Sequence, residues 1–185
     1  GNGRFDDVQW VSALLRNFAS YYFDALEEYE QGCGGTPKIW VHAHDATRER
    51  DLFVLQHLAL GINAHINFDL VFALNDMLLP EWNALPPHLR RQRRDDHQKV
   101  NTIIAETVDA VQDSLVERHV PWLDLVDDLF GPVDEFLVSR MIANWRDEVW
   151  EQAVTMVEAP DSETRDALRN QVEVGAMRRA HILAP

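Results

Sequence analysis

Apolar residues recur at helical spacing along most of the chain. Between Phe5 and Gln31 they fall at Val8, Val11, Leu14, Leu15, Phe18, Tyr22 and Leu26, and the run stops at Gly-Cys-Gly-Gly-Thr-Pro. Lys38 to Ala43 (K-I-W-V-H-A) fits a short strand or a helix start. Helix is the expectation, because no second convincing strand exists to pair with it. Asp51 to Leu79 reads as one long helix stopped by Pro80, and Pro86-Pro87 marks a loop. Asp95 to Arg118 is a helix with Val100, Ile103, Ile104, Val108, Val111 and Leu115 on one face. Trp122 to Phe130 reads as a short amphipathic helix, broken by Gly131-Pro132. Val133 to Val157 carries a core stripe of Phe136, Leu137, Met141, Ile142, Trp145 and Val149. A last helix, Asp161 to Ile182, starts after Pro160 with a near-miss of a capping pattern. No repeat or linker divides the chain. The pattern predicts one all-α domain over residues 1–185, a bundle of about six helices around a buried central helix. Gly1-Asn2-Gly3 lacks a Met and reads as a cloning scar, so a targeting segment could have preceded it.

The central helix breaks its own pattern. Through Leu58–Leu74 (L-A-L-G-I-N-A-H-I-N-F-D-L-V-F-A-L) polar side chains stand at every second position: Asn63, His65, Asn67 and Asp69. On a helix, residues four apart lie about 40° apart around the axis. His65 and Asp69 therefore share one face, and Asn63 and Asn67 share another, roughly opposite. A helix apolar nearly all round is buried all round. Leaving such groups unpaired there costs roughly 1–3 kcal/mol each, and more for a charge. They need partners: each other, neighbouring helices, water or a metal.

His-x-x-x-Asp on one face suits two ligands of a transition metal. His57, about 80° away around the axis, is a marginal further ligand. On the next long helix His97 and Asn101 form a matching four-residue pair, with Asp96 alongside. Arg140 and Arg146 flank Asn144-Trp145 and could bind an anionic group or neutralise Asp69. The same residues also fit a metal-free polar site, or a structural network in which Asp69 orients His65 and pairs with an arginine. Spacing leaves all three open.

Composition narrows the function classes. Hydrophobic residues make up 46% of the 185 residues, a globular composition. The formal net charge of −14 repels nucleic-acid phosphates and anionic lipid, so neither is expected as a partner. The long apolar segment carries His57, Asn63, His65, Asn67, Asp69, Asn75 and Asp76, which would be costly in hydrocarbon, so no membrane span is expected. The single cysteine, Cys33, allows no internal disulfide and, in its glycine-rich loop, lacks the base a nucleophile needs. A cytoplasmic location is expected. His42-Ala43-His44-Asp45 reads as solvated surface with the two imidazoles pointing apart, and Arg90–Arg94 (R-R-Q-R-R) as a solvated helix start. Its functional alternative is an anion clamp. Trp40, Trp82, Trp122, Trp145 and Trp150 read as core. Phosphate-loop, dinucleotide, nucleophile-elbow and His-Glu-x-x-His motifs are absent.

The run G-I-N-A-H-I-N-F-D-L, followed by D-H-Q-K-V-N at Asp96–Asn101 and N-W-R-D-E-V-W at Asn144–Trp150, resembles the bacterial proteins grouped as domain of unknown function 5995. The likeness spans roughly Trp40 to Val157. It implies a small helical protein with polar motif residues at Asn63, His65, Asn67, Asp69, Asn101 and Arg146, and no settled activity. A weaker likeness, to the zinc-dependent phospholipase C and P1-type nuclease group, rests on the His-x-x-x-Asp pair. The chain lacks the further histidines and the mature N-terminal tryptophan of that group.

The expected function is a small-molecule enzyme with a pocket between the central helix and the helices at Asp95 and Val133. His65 would be general base or metal ligand, and Asp69 its orienting carboxylate or a co-ligand. His97 and Arg146 would complete the catalytic set, with His97 a third metal ligand. Asn63, Asn67, Asn101, Arg140 and Trp145 would hold substrate. Bound zinc would suit hydrolysis, and iron a two-His-one-carboxylate oxygenase. Without metal, the site suits a cyclisation or isomerisation of a biosynthetic intermediate. The alternative is a non-catalytic helical module that binds a ligand or a protein, and a homodimer is left open.

Overall fold

The computed structural model describes residues 3–32, 34–49, 52, 54–117 and 135–184. Every regular element among them is helical. In chain order they are α1 (Val8–Gln31), α2 (Lys38–Ala46), α3 (Val54–Ala64), a π-helical turn (His65–Asp69), α4 (Leu70–Leu78), α5 (Pro87–Glu117), α6 (Glu135–Val157) and α7 (Ser162–Leu183). The expected Trp122–Phe130 helix and Cys33 lie outside the described residues.

The helix ends follow local chemistry. Asp7 caps α1 by accepting the Trp10 amide at 2.9 Å. Gly32, at φ 64°, closes α1 in the left-handed region, its N–H donating to the carbonyls of Glu28 and Tyr29. Asp161 caps α7 through the Thr164 amide at 2.7 Å. The start of α5 differs from the sequence expectation. Pro87 is its first residue, where the missing proline N–H costs no helical bond. The Arg90–Arg94 run is therefore well inside a helix.

α3, the π turn and α4 form one continuous element at the centre. Leu60, Leu70, Val71, Ala73, Leu74 and Leu78 on it are at most 2% exposed. α1 and α6 pack along α4. α2 and α7 cover α3, α7 also meets the π turn, and α5 packs outside against α6. Gln56–Leu78 is long and apolar enough to cross a membrane by length and composition, and 67% of that window is buried inside this fold.

Two arginines of the basic run act as clamps, not as solvated charges. Arg90 lies over the Trp82 ring at 4.6 Å and donates to the Trp82 and Leu85 carbonyls. Arg93 bridges Asp7 and Glu81 at 2.6 and 3.0 Å and stacks over Trp10. Asp96, fully buried, accepts the Asp6 and Asp7 amides at 2.8 Å each, tying the segment before α1 to α5. The anion-clamp reading of this run gains no support, because Arg90 and Arg93 are already engaged.

The candidate site is a His–Asp dyad on a π turn

The polar motif coincides with the one change of helical type in the central element. At His65–Asp69 the helix widens to a π turn, and the Leu70 N–H bonds the His65 carbonyl five residues back. Such single-turn bulges shift side chains out of α-helical register and recur at functional sites.

His65 Nδ1 lies 3.0 Å from Asp69 Oδ2. Asp69 is 1% exposed and also receives the indole N–H of Trp40, on α2, at 3.0 and 3.1 Å from its two oxygens. Burial pushes the Asp69 carboxyl up, against the His65 and Trp40 hydrogen bonds that pull it down. With Asp69 ionised it can only accept, which places the proton of a neutral imidazole on Nδ1 and the lone pair on Nε2. The imidazole stacks on Phe18 of α1, with centroids 3.7 Å apart and planes 12° from parallel. Tyr22 meets it edge-on at 6.0 Å. The His65 side chain is still 32% exposed, and Nε2 has no hydrogen-bond partner among the described residues.

Asn63 and Asn67 form the second predicted pair, on another side of the helix. Asn67 donates to Asn63 Oδ1 at 3.0 Å, and Asn63 donates to the Ala176 carbonyl of α7 at 2.9 Å. Both are buried, and Asn63 holds backbone.

The residues expected to face the dyad from the other helices gather elsewhere. His97 is 1% exposed, and its Nε2 lies 3.0 Å from the Arg146 carbonyl. Arg146 returns the contact, donating to the His97 carbonyl at 2.8 Å and lying 3.3 Å from His97 Nδ1, while its Nε reaches Asn101 Oδ1 at 2.6 Å. This is a closed α5–α6 clamp. Burial, with Arg146 adding to it, pushes His97 down to about 3, so it is neutral at physiological pH. Burial also lowers Arg146, to about 10, which leaves it charged. Among the described residues no hydrogen bond joins this clamp to His65 or Asp69. The residues expected to line one pocket between the central helix and the Asp95 and Val133 helices thus form two hydrogen-bonded clusters among the described residues. The dyad faces α1 and α2 because the π turn and helix packing set its azimuth.

The geometry also bears on the metal ligand set. Asp69 sits on the Nδ1 edge of His65, the position of a carboxylate that orients a histidine acting through Nε2. Both ring nitrogens of His97 face Arg146 atoms. His57 is half-buried on α3, and its Nδ1 has no hydrogen-bond partner among the described residues. No group of three or more His, Cys, Asp or Glu suited to a metal occurs among the described residues. The described residues bring His65 and Asp69 together, but not His97 or His57 with them. Arg140 is exposed on α6, and Trp145 packs half-buried against the core.

His42 and His44 do point apart, but they are not solvated surface. His44 stacks on Trp40 at 5.4 Å and near Tyr29 at 4.7 Å, and burial lowers it. His42 meets His181 of α7 at 5.3 Å. Their Nε2 atoms are buried without hydrogen-bond partners among the described residues. The site residues that spacing missed are Trp40, Phe18 and Tyr22. The available signal was that a buried indole N–H needs an acceptor.

Residues 1–185 match the family of unknown function DUF5995, and the chain belongs to it. The match covers the whole chain, beyond the Trp40–Val157 region that bears the motif. No curated protein and no solved structure matches the chain.

Proposed function

We propose that this DUF5995 protein is a small-molecule enzyme whose working group is the His65–Asp69 dyad, acting by metal-free proton transfer. The observation that carries this reading is the asymmetry of His65. Its Nδ1 edge is held by a buried carboxylate, and its Nε2 edge has no partner among the described residues, on a side chain that is 32% exposed. A carboxylate that fixes the tautomer and supports the developing imidazolium is the arrangement general-base histidines use. Trp40 holds Asp69 in place, and Phe18 holds the ring plane. In this role His65 Nε2 takes a proton from a substrate C–H, N–H or O–H and returns it at another position. Isomerisation and cyclisation of a small biosynthetic intermediate are the reactions this suits.

A purely structural dyad would have little reason to leave one nitrogen open at a partly exposed position. The test is to incubate wild type and His65→Gln with a bacterial metabolite extract and compare both by mass spectrometry. A compound converted by wild type and about 10²–10⁴ times more slowly by an equally folded His65→Gln supports the reading. Identical conversion profiles for the two proteins contradict it.

A further inference from the structure

α7 has two apolar faces. Val172, Ala176 and Ala180, four residues apart, are buried against the bundle. Val174, Met177, Arg178, His181 and Ile182 follow the i, i+3, i+4, i+7, i+8 spacing of another stripe. Val174 is 58% exposed and Ile182 74%. With Lys38, at the start of α2, this stripe bounds an open groove of about 480 Å³. Glu173, its acidic wall residue, accepts the backbone N–H of Lys38 at 3.3 Å and so serves the first turn of α2. Lys38 and Arg178 make no ion pair among the described residues, whereas the next arginine, Arg179, pairs with Glu148. Two cations without an ion pair among the described residues thus stand with one carboxylate, Glu173, beside an apolar floor, on a chain of net charge −14.

We propose that this groove binds an amphiphile with an alkyl chain and a single carboxylate head. Val174, Met177 and Ile182 would cover the chain, whose burial from water favours binding with each added methylene. Arg178 can take a carboxylate through two parallel N–H bonds, and Lys38 adds a point charge. Charge decides against a second copy of this chain on the same face. A two-fold contact would set like patches together, each carrying two cations, Lys38 and Arg178, against the one carboxylate of Glu173. The groove is independent of the dyad. Trp40 turns toward Asp69, while Lys38, two residues earlier, lies about 200° round the axis of α2.

The test is calorimetric titration of the whole chain with laurate below its micellar concentration, with dodecanol as the uncharged control. The expected result is saturable binding of one laurate per chain. The double variant Lys38→Glu/Arg178→Glu and the single variant Ile182→Asp should each bind about tenfold more weakly or worse. All three positions are exposed, and circular dichroism checks that the variants keep their helices. Absence of saturable binding would overturn the proposal. So would dodecanol binding as tightly as laurate, or variants that bind like wild type. A concentration-dependent dimer that Ile182→Asp dissolves, with no laurate bound, would assign the face to self-association instead.

Discussion

The indole N–H of Trp40 is shared between both carboxylate oxygens of Asp69, at 3.0 and 3.1 Å. This contact joins α2 to the π turn and completes the hydrogen bonding of a buried acid that His65 alone would leave half satisfied. Trp40→Phe keeps most of the ring and removes the N–H. It should cost about 1–3 kcal/mol in urea unfolding, the range for orphaning one side of a buried hydrogen bond. His65→Gln, at a position one-third exposed, should cost less. The reverse order would show that Trp40 acts by packing alone.

The two polar clusters should behave as independent units. Asn101→Ala and Arg146→Lys remove two ends of one 2.6 Å hydrogen bond. Their stability losses should be non-additive, with a coupling of about 0.5–3 kcal/mol. Asn101→Ala and Asp69→Asn belong to different clusters and should add to within about 0.5 kcal/mol. Strong coupling in the second pair would restore the single pocket.

His97 makes the fold sensitive to acid. Its folded value, about 3, lies well below the ordinary 6.5, because burial and Arg146 oppose the imidazolium. A lowered value means that folding favours the deprotonated ring. The contribution is complete above pH 6.5 and is lost as pH falls toward 3, over a range worth a few kcal/mol. Asp69 works in the opposite direction. Its raised value makes folding favour the protonated acid, so its contribution is present below pH 3.8 and is lost as pH rises through the folded value. Urea midpoints measured from pH 7 to pH 4 should fall for wild type and fall less for His97→Gln. Equal slopes would contradict the role given to His97.

Asp96 fastens the N-terminal segment through two backbone amides. In Asp96→Ala the amides of Asp6 and Asp7 should exchange with solvent much faster, while those in the middle of α4 stay protected. Unchanged exchange at residues 6 and 7 would show that the Arg93–Asp7 bridge suffices.

Much of this architecture could be read from periodicity. The helices at Val8, Lys38, Glu135 and Ser162 begin within a few residues of their predicted starts, because apolar spacing and Gly, Pro or Asp punctuation are local properties. The pairings His65–Asp69 and Asn63–Asn67 were legible too, since i,i+4 neighbours on a helix meet whatever surrounds them. Which neighbour each pair faces was not legible. That depends on helix azimuths, and the π turn shifts them at the motif with no residue to announce it. For this reason His97 and Arg146, plausible partners by composition, close on each other, while Trp40 reaches Asp69 from a helix read only as core. The Arg90–Arg94 run misled for a related reason. Charge density signals solvent, but Trp82 and Trp10 offer ring faces that a half-buried guanidinium can cover.

The central claim is that Asp69 fixes His65 with its proton on Nδ1, leaving Nε2 without a partner among the described residues. Long-range proton–nitrogen NMR of the labelled protein near neutral pH reads this directly. The account predicts the Nδ1–H tautomer at His65 in wild type, and loss of that preference in Asp69→Ala. A proton resting on Nε2 in wild type, or a tautomer indifferent to Asp69, would contradict it.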